Sequence, residues 1–235
     1  MRPRLLLGLL VALVSFVSGL SAIAAEPVRI ACVGDSITAG YGLDHPGHDA
    51  WPAVLGRLLG PDYVMGNFGV SGATLLKAGD KPYWREPALA QADAFAPGIV
   101  VIKLGTNDSK PHNWSAQGGA FAADAAALIE HFAKLPGKPV VWVCLPAPIF
   151  TNRYTIDETT TVTIRRIWRD VASAHHIAVI DLAPALGSHP EFFPDGVHPD
   201  VAGAKALAHA VAAALKTTSP GTKPSRTSSD STLRD

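Results

Sequence analysis

A chain of 235 residues, 48% hydrophobic and 17% charged, is long enough to bury one sizeable core, and its composition excludes a disordered or fibrous protein. Twenty Lys and Arg against twenty Asp and Glu give a formal net charge of +0. No basic stripe is present to hold a phosphate backbone, so no nucleic-acid partner is expected.

The chain opens with Arg2 and Arg4, an apolar run from Leu5 to Leu20, and the small-residue stretch Ser21-Ala22-Ile23-Ala24-Ala25. That is the pattern of a cleaved secretory signal over residues 1–25. The apolar run falls short of the ~20 residues a membrane-spanning helix needs, so a soluble exported protein is expected, secreted or periplasmic, with no stable membrane anchor after cleavage. Losing Arg2 and Arg4 leaves 18 basic against 20 acidic residues, a slightly acidic product.

Five short apolar runs rich in Val and Ile follow, each ended by Gly, Pro or Asp: Val28–Val33, Tyr63–Gly66, Ile99–Leu104, Val140–Leu145 and Ile177–Leu182. Helical spacing lies between and after them. Phe121, Ala125, Leu128, Ile129, Phe132 and Leu135 share one face; so do Ile164, Ile167, Trp168 and Val171, and then Val201, Ala204, Leu207, Ala208, Val211 and Leu215. Asp200, just after Pro199, is placed to cap the last helix. Strands alternating with helices predict one three-layer α/β domain over 26–216 with a parallel sheet covered on both faces. Cys32 and Cys144, each inside an apolar run, read as buried free thiols. Residues 217–235 are Ser-, Thr- and Pro-rich and lack the apolar groups that offset ordering entropy, which reads as a disordered tail.

In an open parallel sheet, ligands bind outside the carboxyl ends of the strands. Four polar segments would meet there: Gly34-Asp35-Ser36, the stretch Asn67 to Gly72, Gly105-Thr106-Asn107-Asp108, and Asp195-Gly196-Val197-His198. Together they suit acyl transfer. A serine hydroxyl needs a base to take its proton, and the base needs a partner that fixes its tautomer. Asp195 and His198, three residues apart in a Gly- and Pro-bounded turn, can supply both to Ser36. The backbone N–H groups of Ser36 and Gly72 and the amide of Asn107 are candidate donors to the oxyanion.

These four blocks resemble the SGNH, or GDSL-type, hydrolases, over almost everything from Val28 to Leu215. The resemblance implies Ser36 as nucleophile, Asp195 and His198 completing a triad, and Gly72 and Asn107 as oxyanion donors, with no catalytic role for Asp35. It implies a flavodoxin-like α/β/α sandwich of sheet order 2-1-3-4-5 and no cofactor. The Gly-x-Ser-x-Gly elbow of ordinary α/β-hydrolases is absent, since Gly69-Val70-Ser71-Gly72-Ala73 ends in Ala73.

The loops around Lys77–Arg85 and Ser109–Trp114, with Phe193–Pro199, are also similar to the sialate O-acetylesterase-like, or carbohydrate acetylesterase, subgroup. That implies removal of acetyl from a sugar, so the expected partner is a small-molecule or glycan ester. Trp84 and Trp114 are candidate sugar platforms, or they pack the loops on the domain. A hydrolase of longer acyl chains and an inactive sugar-binding scaffold are the alternatives. Asp44, His45, His48 and Asp49 have no regular element to present them, so no metal is expected. Two glycosylation sequons begin at Asn107 and Asn113, and a glycan on Asn107 would block the oxyanion site. Lys103, near the end of an apolar strand, is the least expected side chain; it is read as reaching the rim and pairing with Asp108 or another carboxylate.

Overall fold

A computed structural model describes residues 26–217. In chain order these are β1 (Val28–Gly34), α1 (Ser36–Ala39), α2 (Pro46–Asp49), α3 (Trp51–Leu59), β2 (Tyr63–Gly69), α4 (Pro87–Ala94) and β3 (Ile99–Lys103). Then come α5 (Pro111–Gln117), α6 (Phe121–Ala133), β4 (Val140–Cys144), α7 (Glu158–Ala174), β5 (Ala178–Ile180), α8 (Ala183–Leu186) and α9 (Val201–Thr217). The five strands form one parallel sheet of order β2-β1-β3-β4-β5, the expected order.

Period-2 alternation along the strands divides the interior into two cores. Ala31, Val33, Val100, Ile102, Val141 and Val143 face α4, α6 and α7, where Phe121, Phe132, Ile164 and Trp168 fill the layer. Ile30, Cys32, Val101, Trp142 and Cys144 face the other way, against Trp51 and Leu55 of α3 and Leu207 and Val211 of α9. Because most of β1 and β3 is buried on both faces, their sequences are apolar apart from Arg29 at the exposed start of β1 and Lys103 at the end of β3, which is what made them legible.

Cys32 and Cys144 are free thiols, both buried. Burial pushes Cys144 up to about 12 and Cys32 well above its ordinary value, so neither is a reactive thiolate. Strand β2 runs to Gly69, three residues beyond its predicted end, because Asn67, Phe68 and Gly69 pair with Cys32, Val33 and Gly34 of β1. Helix α9 includes Thr217, one residue past the expected domain boundary. Among the described residues no helix is long and apolar enough to cross a membrane. The expected signal over 1–25 and all but the first residue of the expected tail lie outside the described residues.

Candidate active site

The four polar segments meet at the carboxyl rim of the sheet. The chain leaves β1 at Gly34, where a Cβ would collide with the Thr38 side chain and lie 2.8 Å from the Lys103 carbonyl. Glycine therefore lets the turn sit tight on β3. Asp35 follows as N-cap of α1, its carboxylate accepting from the Ile37 N–H at 3.0 Å, and Ser36 opens the helix at the rim. On the other side, β2 is tied to α1 by Asn67, whose amide donates to the Thr38 carbonyl at 2.8 Å.

Ser36 Oγ lies 2.8 Å from His198 Nε2, and His198 Nδ1 lies 2.8 Å from Asp195 Oδ2. The other Asp195 oxygen accepts from the backbone N–H groups of Val197 (2.9 Å) and His198 (2.7 Å). Burial works to raise the Asp195 carboxyl, but these bonds and the His198 ring outweigh it and hold it at about 2. An ionised carboxylate can only accept, so Nδ1 carries the imidazole proton and Nε2 turns its lone pair to the Ser36 hydroxyl.

Gly72 and Asn107 line the same cleft as Ser36 and His198, a space of about 260 Å³ that also includes Tyr41, Ser71, Lys110, Tyr154 and Ile156. Gly72 has φ +83, and a Cβ there would meet only Lys81 Cδ at 3.6 Å; its left-handed backbone, rather than crowding, is what calls for glycine. One Asn107 amide proton goes to the Ala73 carbonyl at 3.1 Å, which fixes the side chain and leaves the second proton for a ligand.

Buried groups behind the cleft hold these donors in place. Asp108 accepts from the Leu75 and Leu76 N–H groups at 3.0 and 2.7 Å, clamping the loop that carries Gly72 to the loop that carries Asn107. Burial pushes Asp108 up to about 7 against those bonds. Asn113 joins the same loops, donating to the Asn107 carbonyl (3.0 Å) and to Asp80 (2.9 Å). Asn107 and Asn113 are both buried, so neither sequon presents its amide to solvent.

Several sequence expectations change here. Lys103 does not reach the rim. It is 0% exposed, and its ammonium lies 3.3 and 3.4 Å from the two oxygens of Asp35, which is also 0% exposed; the partner is the carboxylate beside the nucleophile, not Asp108. Trp84 and Trp114 do not line the cleft. The Trp84 indole donates to the Leu75 carbonyl at 3.1 Å under the Lys77 ammonium, and Trp114 packs on Phe121, so both fasten loops to the core. The aromatic walls are instead Tyr41 and Tyr154, whose rings lie 4.5 and 5.5 Å from that of His198.

The sequence reading missed both tyrosines. Tyr41 is five residues past the nucleophile, just beyond the left-handed Gly40 that ends α1 and turns the chain back to the rim. Tyr154 sits in the irregular segment before α7, with its backbone at φ +62. Its phenol donates to Asp195 Oδ2 at 3.2 Å, and Thr151 donates to the Asp195 carbonyl at 3.0 Å. Desolvation, the Tyr41 hydroxyl and the Asp195 carboxylate hold the Tyr154 phenol above its ordinary value.

Among the described residues no group of three or more His, Cys, Asp or Glu could hold a metal ion. His48 pairs with Asp49 at 2.8 Å on the surface. A larger cavity, about 590 Å³, lies at the opposite end of the sheet, lined by apolar groups such as Val28, Ile99 and Val140, away from all of these polar residues.

Solved structures share this shape. A carbohydrate acetylesterase from Sinorhizobium meliloti superposes with a TM-score of 0.69 at 19% identity, over 81% of this chain and 99% of that one. The inhibitor-bound aryl esterase of M. smegmatis gives 0.68 at 22% identity, over the same shares. These likenesses concern the fold. An acetylxylan esterase of Xylanibacter ruminicola is 39% identical over 210 residues, 81% of this chain, which spans 44% of that protein's length. The model of the GDSL-like lipase/acylhydrolase family matches residues 32–206, from the middle of β1 into α9, and the chain belongs to that family.

Proposed function

We propose that this protein is an exported serine esterase that removes short acyl groups, acetyl above all, from carbohydrate. The observation that carries the reading is the unbroken relay from Ser36 through His198 to Asp195, opening onto a cleft that also holds Gly72 and Asn107. Family membership and the acetylxylan esterase relative support ester chemistry, and the relative supports acetyl on a glycan. Export rests on the signal-like residues 1–25.

The steps follow from the geometry. His198 Nε2 takes the Ser36 proton as Oγ bonds to the ester carbonyl carbon. The carbonyl oxygen becomes an oxyanion held by the Ser36 and Gly72 N–H groups and the free Asn107 amide proton. The carbon–oxygen bond to the alcohol breaks as His198 returns its proton to the departing oxygen, leaving an acyl-Ser36 ester. A water then adds to that ester, giving one proton to His198; His198 returns it to Ser36 Oγ as the carbon–oxygen bond breaks, and acetic acid leaves, ionising to acetate in solution. Asp195, anionic throughout, stabilises the imidazolium in both halves.

The cleft also favours short acyl groups over long ones. At about 260 Å³ it is small, and Ser71, Asn107 and Lys110 interrupt the apolar surface of Tyr41, Tyr154 and Ile156, so there is no continuous apolar channel for a fatty chain. An inactive sugar-binding scaffold would have no use for the aligned relay. The test is acetate release from acetylated xylan and other acetylated glycans. The native protein should release acetate, and Ser36→Ala should lower the rate by at least about 10³-fold with unchanged thermal unfolding. Full activity in Ser36→Ala overturns the assignment, and p-nitrophenyl esters cleaved faster at C12 than at C2 would favour the long-acyl reading.

A further inference from the structure

The relay fixes which side of the nucleophile each part of the ester occupies. The oxyanion points to Gly72 and Asn107, and the alcohol oxygen must lie where His198 Nε2 can protonate it. The acceptor therefore extends past the His198 ring, away from the oxyanion donors. A second hollow, of about 200 Å³, lies there, lined by Tyr41, Asp44, Pro194, Asp195, His198 and Asp200 among others. It shares Tyr41 and His198 with the catalytic cleft, so the two spaces meet at those rings.

We propose that this second hollow seats a neutral sugar ring of the acceptor, with Tyr41 as its platform and Asp44 as acceptor for its hydroxyls. The proposal rests on the carbohydrate-ester reading above and adds the site, its residues and the charge class of the sugar. Tyr41 is 49% exposed, and its ring stands 4.5 Å from that of His198, where a departing alcohol would pass. A phenol ring offers an apolar face with a polar tip, as a pyranose does. The Asp44 carboxylate has no partner among the described residues, and Asp200 spends one oxygen on the Gly203 N–H at 2.8 Å, leaving the other available.

Charge decides which sugars fit. The lining holds Asp44, Asp195 and Asp200 and no Lys or Arg. Carboxylates accept from hydroxyl groups and repel a second carboxylate, so a neutral sugar is favoured over a uronate at this position. The cations near the rim face the other cleft: Lys110 lines it and is 3.7 Å from Asp80, Lys81 donates to the Ser71 carbonyl, and Arg153 lies over the Tyr154 ring.

The experiment compares kcat/KM on acetylated xylotriose, acetylated trigalacturonate and p-nitrophenyl acetate for the native protein and for Tyr41→Ala, Tyr41→Phe and Asp44→Asn. The native protein should prefer the neutral trisaccharide over the acidic one by roughly tenfold or more. Tyr41→Ala should lose roughly tenfold more on acetylated xylotriose than on p-nitrophenyl acetate, chiefly through KM, and Tyr41→Phe should restore the difference. Asp44→Asn should narrow the preference against the acidic trisaccharide. Equal losses on both esters in Tyr41→Ala, or no preference between the trisaccharides, overturns the second site while leaving the carbohydrate reading intact. Hydrolysis of p-nitrophenyl acetate with none of either trisaccharide overturns both.

Discussion

Two aspartates, each bonded to a side-chain nitrogen, stand beside the reactive serine, and the two pairs are built in opposite ways. Asp35 and Lys103 are 3.3 Å apart and each 0% exposed, sealed beneath the nucleophile by the packed ends of β1 and β3. Asp195 and His198 are 2.8 Å apart on a loop, with side chains 18% and 10% exposed at the edge of the cleft. A pair that passes protons must reach its substrate, so it sits at the surface and borrows rigidity from backbone N–H donors. A pair that only fixes a turn can be fully buried, where loss of one partner strands a charge.

Breaking the exposed pair should give the largest effect on activity. Asp195→Asn keeps the shape but presents an amide to Nδ1, so His198 takes the wrong tautomer; kcat should fall about 10⁴-fold with the unfolding temperature little changed. A loss below tenfold would mean that Asp195 does not orient His198. Breaking the buried pair should act on the fold instead. Lys103→Met leaves Asp35 charged and unpaired in the core and should cost about 3–5 kcal/mol of stability by denaturant unfolding, most of it recovered when Asp35→Asn is added. Asparagine keeps the cap on α1, so recovery reports the charge rather than the cap.

The smallest effect sharpens the same contrast at low pH. Asp195 is held at about 2, below the ordinary carboxylate value of about 3.9, so the folded chain binds its proton less tightly than the unfolded one. Its contribution to stability is present above the unfolded value and disappears as pH falls through about 2. Asp195→Asn should therefore flatten the fall in unfolding free energy between about pH 4 and pH 2, and an unchanged slope would contradict the shift.

What the sequence made legible follows from the same physics. Strands buried on both faces leave largely apolar runs, so β1, β3 and β4 were readable to within a residue at either end. The end of β2 was not, because Gly66, Asn67 and Gly69 are poor strand formers held there by pairing with β1. Ser36, Gly72, Asn107, Asp195 and His198 were legible because each follows a strand or precedes a helix that the apolar pattern marks; the fold brings four of them to one cleft, with Asp195 bonded to His198 behind it. The cleft walls were not. Trp84 and Trp114 share the chemistry of a sugar platform, but their neighbours in space, Leu75 and Phe121, make them packing residues. Tyr41 and Tyr154 reach His198 through a left-handed turn at Gly40 and a non-repetitive segment with Tyr154 at φ +62, neither of which leaves a periodic signal. Lys103 was conspicuous in sequence, yet its partner depends on strand order, which sets β3 beside β1.

The central claim is that His198 activates Ser36. The most direct measurement is labelling of the native protein with a fluorophosphonate, followed by intact mass and peptide mapping, alongside His198→Ala. The expected result is one adduct, on Ser36, with labelling slowed at least about 10³-fold in His198→Ala. An adduct on Ser71, or labelling at the same rate without His198, would contradict it.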